Sequence, residues 1–243
     1  RNESALEVAR RISETLSVVS GRYLSEPVRW YRYLEEMGAE PVPVPEELET
    51  LAEVVEASYD HTLGEYFSRS SISLFLFEDP GQRSSPVPAV NVAAGSGNSN
   101  LVTVDLPEEL PTNSPSEAAR LFLDVVRIWQ PDTAEFTTAV ARVSAMKAGQ
   151  DSHAAYLSWW SAKAYGAAPA SEREIVMQVG DGWLYAAREW SLPAVLALGE
   201  ELTSLGSQKA MSRPEKQDPP SLPDGYPVEL EDLDDQITWG TAE

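Results

Sequence analysis

The side chains that most often carry chemistry are scarce in this chain. Its two histidines, His61 and His153, lie far apart, and neither belongs to a metal-binding spacing such as H-E-x-x-H, so both read as ordinary surface or core residues. There is no cysteine among the 243 residues, which excludes thiolate nucleophiles, disulfides and thiolate zinc sites. No Gly-Lys dipeptide occurs for a phosphate-cradling P-loop, and no G-x-S-x-G elbow for a hydrolase serine. The glycine-rich run AGSGNSN at 94–100 lacks the third glycine of a dinucleotide fingerprint and reads as a turn. Pro131-Asp132 invites comparison with restriction-type nucleases, where such an aspartate and a downstream acid-x-Lys hold a metal. Two residues before Lys147, Lys163, Lys209 and Lys216 stand Ala145, Ser161, Ser207 and Pro214, so no acid is in place. Adjacent Trp159 and Trp160 suggest a stacking platform, but strand alternation sends one to each face, which favours core packing. The sequence therefore supplies no catalytic, cofactor-binding or metal-binding residues.

What remains is charge. Lys and Arg total 18 against 39 Asp and Glu, a formal charge of −21, which repels nucleic acid and anionic lipid and favours a basic protein partner. The carboxylates are not evenly spread. On a helix expected from Pro45 to about Asp60, Leu48, Leu51, Val55 and Tyr59 share one side, while Glu46, Glu49, Glu53, Glu56 and Asp60 share the other. No lysine or arginine stands at the i+3 or i+4 positions that would stabilise such a helix. Residues 207–243 carry a second acidic group, Asp232, Asp234 and Asp235, close to Trp239. These nine residues, from Glu46 to Trp239, are the candidate partner contacts. No apolar run approaches membrane-spanning length. The chain starts on Arg1, so the lack of a signal peptide carries no weight and the cytoplasm is the default compartment.

The elements that must position these residues follow from periodicity. Ser114 with Glu117 forms a capping box, Pro115 sits at the first helical position, and Pro131 stops the element, so 114–130 is a helix with both ends marked. Its apolar positions, Ala118, Leu121, Phe122, Val125 and Trp129, face the core; Glu117, Arg120, Asp124 and Arg127 are expected to face solvent. Ahead of it, Leu6 to Val19 keeps helical spacing with Gly21 as its cap, and a second helix is expected after Pro27 through Val28, Tyr31 and Leu34. Strands are expected at 72–77, 89–94, 102–106, 136–143 and 155–160. Two more, at 175–179 and 183–187, flank an Asp181-Gly182 turn. A last helix is capped by Ser191 and ends at Gly206. The fold class is α+β: N-terminal helices, then mainly antiparallel strands around the central helix, a C-terminal helix and an acidic tail. Residues 1–206 read as one domain. Residues 207–243 are either disordered or packed back through Tyr226, Leu230, Leu233, Ile237 and Trp239, and their removal is expected to leave the domain folded.

The order of WQPD closing a helix, FTTAVARV, AYLSWW and the hairpin VGDGWLYAA before a last helix resembles a bacterial family, immunity-protein family fifty-two, over about 74–206. Ala155-Tyr156 stands where that family usually has Gly-Trp. The resemblance implies a protein encoded beside a polymorphic toxin or secreted effector of a restriction-endonuclease-like class, which protects its producer by binding the toxin. It supplies no catalytic residues. The residues alone lead the same way: an acidic α+β domain without a catalytic motif suits an inhibitor of a basic enzyme, since opposite potentials speed encounter and disfavour wrong partners. The rival readings are a hydrolase built on carboxylates such as Asp132 and Glu135, and an acidic adaptor or chaperone.

Overall fold

The computed structural model describes residues 4–23, 29–32, 40–58, 70–76, 88–94, 101–106, 114–150, 155–166, 170–205 and 219–240, without the side chains of Tyr23, Ala94 and residues 70–76. It is α+β, and its contacts divide the chain into two compact units, Arg1–Thr112 and Asn113–Glu243. The boundary thus falls just before the central helix rather than after Gly206, and described residues of the expected tail belong to the second unit. Asp60, His61, His153, the 95–100 turn and Gly206 lie outside the described residues.

In the first unit, α1 (Ala5–Tyr23) opens on a reciprocal capping box: the Glu7 amide donates to Ser4 Oγ at 3.3 Å, and the Ser4 amide donates to Glu7 Oε2 at 2.9 Å. Val8, Ala9, Ile12, Leu16 and Val19 are buried, whereas Leu6 points out, and the helix runs two residues past Gly21. β1 (Trp30–Arg32) occupies the place of the expected second helix. A three-residue stretch there gains more from pairing with β3 (Ser70–Leu76), Trp30 opposite Leu76, than from a short helix, and the Trp30 indole donates to Ser20 of α1 at 2.9 Å. With β2 (Val42–Pro43), β4 (Ala89–Ala94) and β5 (Leu101–Asp105) these strands form an antiparallel sheet ordered β2-β1-β3-β4-β5, with Val90 and Val92 buried. α2 (Leu48–Ala57) packs on α1 through Leu51 and Val55.

The second unit opens with α3 (Pro115–Trp129), capped at Ser114 and closed by Gln130 in the left-handed region at φ 45°. β6 (Thr133–Phe136) follows, and the expected strand at 136–143 is instead α4 (Ala139–Lys147). Thr138 Oγ1 accepts from the Ala141 amide at 3.1 Å, and Ala141 and Ala145, one helical turn apart, pack against Val195. The N-cap and that i, i+4 pair outweigh the β-branched composition. β7 (Leu157–Ser161), α5 (Ala162–Tyr165), β8 (Glu174–Val179) and β9 (Gly182–Ala187) complete an antiparallel sheet ordered β6-β7-β9-β8. The hairpin turn is centred on Gly180-Asp181, one residue earlier than expected, with the positive φ of 58° at Gly180. Gly182 starts β9, and a Cβ there would lie 2.4 Å from the Trp159 ring. Trp159 and Trp160 are both buried, on opposite faces of β7. β10 (Glu189–Trp190) leads into α6 (Leu192–Ser204), capped by Ser191. The chain returns through a 3-10 turn (Val228–Leu230), α7 (Leu233–Gln236) and β11 (Thr238–Trp239), which pairs in parallel with β10.

Candidate interaction surfaces

α2 has two chemically distinct sides. Leu51 and Val55 are buried, while Glu46, Glu49, Glu53 and Glu56 are exposed, Glu46 just ahead of the helix and the others along it. No ion pair engages any of these four carboxylates among the described residues. The helix begins at Glu47, which makes no side-chain cap bond, so the acidic residues near this N-terminus are left to the macrodipole and to solvent.

The C-terminal segment has another character. It runs antiparallel along α3, held by the polar side chains expected to face water. Ser221 exchanges two bonds with Asp181, its carbonyl accepting at 2.8 Å and its amide donating to Oδ2 at 3.0 Å. Arg127 donates to the Pro223 and Gly225 carbonyls at 3.2 and 2.7 Å. Tyr226 Oη donates to Asp124 at 2.6 Å, and its ring lies 5.4 Å from the Arg127 guanidinium carbon and 5.9 Å from that of Arg120. Arg120 pairs with Glu117 and, at 3.1 Å, with Glu231. Beneath these polar links Leu230, Leu233 and Ile237 are buried in the same core as Phe122, Leu123 and Trp159.

This path decides what the tail candidates do. Asp234 reaches the N-terminus of α3: the Ser116 amide donates to it at 2.9 Å, and the Ser116 and Ser114 hydroxyls at 2.8 and 2.9 Å. Partial burial works to raise its carboxyl pKa, but the bonds from Ser116 and Ser114 and the charge of Arg120 outweigh it and hold the group below the ordinary value. Asp234 is thus committed within the chain as a second cap. Asp232 and Asp235 remain exposed. Trp239 packs edge-on against Trp190, centroids 5.3 Å apart, and leaves 46% of its surface open.

One buried carboxylate has no forerunner in the sequence reading. Glu174, 8% exposed at the start of β8, accepts from the Ser171 amide at 3.0 Å, and the Ser171 hydroxyl donates to Glu201 of α6 at 2.7 Å. Burial pushes its pKa up to about 7, against the Ser171 bond and with the help of Glu201. Its only signal was an acid opening a strand pattern. Asp132 is exposed and Glu135 half-buried on β6. No group of three or more His, Cys, Asp or Glu is placed to hold a metal among the described residues, and none of their helices is long and apolar enough to cross a membrane.

No protein-family model matches the chain, and no curated protein matches it. Among solved structures, the Pseudomonas aeruginosa T6SS protein PA0821 is similar at 10% identity and a TM-score of 0.47, covering 96% of this chain and 78% of that one. Neither a shared fold nor a shared activity follows at that distance.

Proposed function

We propose that the protein is a stoichiometric inhibitor rather than an enzyme: an immunity protein that binds and neutralises a basic, restriction-endonuclease-like toxin encoded by the adjacent gene. The observation that carries this reading is the outer side of α2, where Glu46, Glu49, Glu53 and Glu56 stand exposed and make no ion pair among the described residues. Like charges spaced along a helix destabilise it by a few tenths of a kcal/mol per pair, so helix stability does not account for them. A basic partner does: uniform negative potential accelerates encounter with a cationic surface and discriminates against acidic competitors. Exposed Asp232 and Asp235 and the open edge of Trp239, a residue type in which interface hot spots are enriched, offer a further contact.

The test takes the purified toxin from the neighbouring gene. Equimolar protein should silence it, and replacing Glu46, Glu49, Glu53 and Glu56 with Gln should leave folding intact while slowing association by about tenfold at low salt and flattening its salt dependence. Binding without silencing would mark an adaptor instead. An unchanged on-rate and salt slope would return α2 to plain solvated surface.

A further inference from the structure

Glu174 and Glu201, two carboxylates on different elements, converge on one serine. The Ser171 amide donates to Glu174 Oε2 at 3.0 Å, its hydroxyl donates to Glu201 Oε1 at 2.7 Å, and the Arg173 amide donates to that same hydroxyl at 2.9 Å. Glu174 is buried at the start of β8, whereas Glu201 on α6 keeps 37% of its side chain open. The other charged groups of the elements packed here are Glu172 and Arg173 in the turn and Arg188 just past β9. Arg173 gives its Nε to Glu201 at 3.1 Å, and Arg188 gives its Nε to the Glu172 carbonyl at 3.1 Å. No ion pair reaches Glu174 among the described residues. A buried carboxylate is therefore left facing a second acid, with one serine joining the turn at 171–174 to α6.

We propose that Glu174, Ser171 and Glu201 form a proton-operated latch, which holds the 171–174 turn against α6 while Glu174 carries a proton and releases it when Glu174 ionises. The protonated carboxyl is neutral, so it accepts the Ser171 amide bond without opposing Glu201 as a like charge. The ionised carboxylate gains water only by swinging out, and it removes the acceptor of the Ser171 amide as it goes. Ser171 then keeps its hydroxyl bond to the partly open Glu201, and the turn loosens. Burial and the charge of Glu201, against the Ser171 bond, raise the Glu174 carboxyl in the closed turn from 4.5 to about 7. Ionisation therefore shifts the balance from closed to open by roughly 300-fold. The latch is closed in mild acid and opens as the pH rises towards and past 7. Opening is local, because β8 stays paired with β9 from Ile175↔Ala186 to Val179↔Gly182.

Amide exchange in the full chain reads the latch, once each rate is divided by its intrinsic value at that pH. From about pH 5.5 to about pH 8.5, protection of the Ser171 and Arg173 amides should fall by about tenfold or more. Leu184, on the central strand β9, should keep its protection over the same range. Glu174→Gln retains an acceptor and cannot ionise, so both amides should stay protected throughout. Glu201→Gln removes the like charge and should shrink the fall. Constant protection at Ser171 across the range would overturn the proposal. So would a fall that Leu184 shares, which is general unfolding, one that persists in Glu174→Gln, or one that Glu201→Gln leaves unchanged.

Discussion

Glu7, Asp181, Asp234 and Glu174 show how one functional group takes opposite properties from its surroundings. The first three are held below the ordinary carboxylate value by the bonds they accept: Glu7 chiefly from the Ser4 amide, Asp181 chiefly from Lys163, and Asp234 from Ser116 and Ser114 against its partial burial. Glu174 is pushed up to about 7 by burial. A folded-state value above the unfolded 4.5 means that the native protein binds the proton more tightly, so stability from this site is full below about pH 4.5 and falls as pH rises through 7. Glu174→Gln keeps an acceptor for the Ser171 amide and removes the buried charge. It should stabilise the protein at pH 8 by on the order of 3 kcal/mol, with the gain vanishing near pH 4, as read from thermal melts of both proteins across that range. Asp234→Asn has the opposite sense. It weakens the cap on α3 and should cost about 1 kcal/mol at neutral pH, the difference from wild type shrinking in acid as the native aspartate protonates.

Among the elements, those written by local signals were legible and those set by distant partners were not. α3 and α6 announce themselves through Ser114, Pro115 and Ser191, and the β8–β9 hairpin through Asp181-Gly182, one residue away from the turn's actual centre at Gly180-Asp181. β1 and α4 did not. Trp30–Arg32 is a strand because β3 lies beside it, and the face of α4 shows only once Val195 of α6 is in place. The polar face of α3 misled for the same reason: Arg120, Asp124 and Arg127 look like solvated positions until the C-terminal segment arrives to bond them. On the candidate surfaces, the α2 carboxylates were readable from spacing alone, but the role of Asp234 as a cap depended on a contact 118 residues away. The expectation that residues 207–243 are dispensable is therefore corrected. Leu230, Leu233 and Ile237 are buried, each contributing about 1.5–3 kcal/mol, and together they match much of a domain's net stability. Deleting residues 219–243 should abolish the cooperative melt of the second unit and open it to protease. Retention of that melt would place the segment outside the core.

For the whole molecule the governing quantity is net charge. Ion pairs such as Arg173–Glu201 and Lys163–Asp181 are exposed enough to contribute only about 0–1 kcal/mol each, whereas the −21 charge acts against compaction everywhere. Repulsion should win that comparison. Raising salt from about 10 mM to about 200 mM, which shortens the screening length from roughly 30 to 8 Å, should therefore raise the melting temperature. A fall would mean that the ion pairs outweigh the repulsion. The five-stranded sheet belongs to the first compact unit and the four-stranded sheet to the second, so one charge acts on two such units.

The strap along α3 also orders events at birth. On the ribosome, α3 and the sheet behind it emerge well before Leu230, Leu233, Ile237 and the capping Asp234. Until those residues arrive, the helix presents bare leucines and a half-satisfied N-terminus to the cell. The second unit is thus a vessel sealed only after its last plank is delivered, and nascent chains caught before that moment are the ones exposed to aggregation and to chaperones.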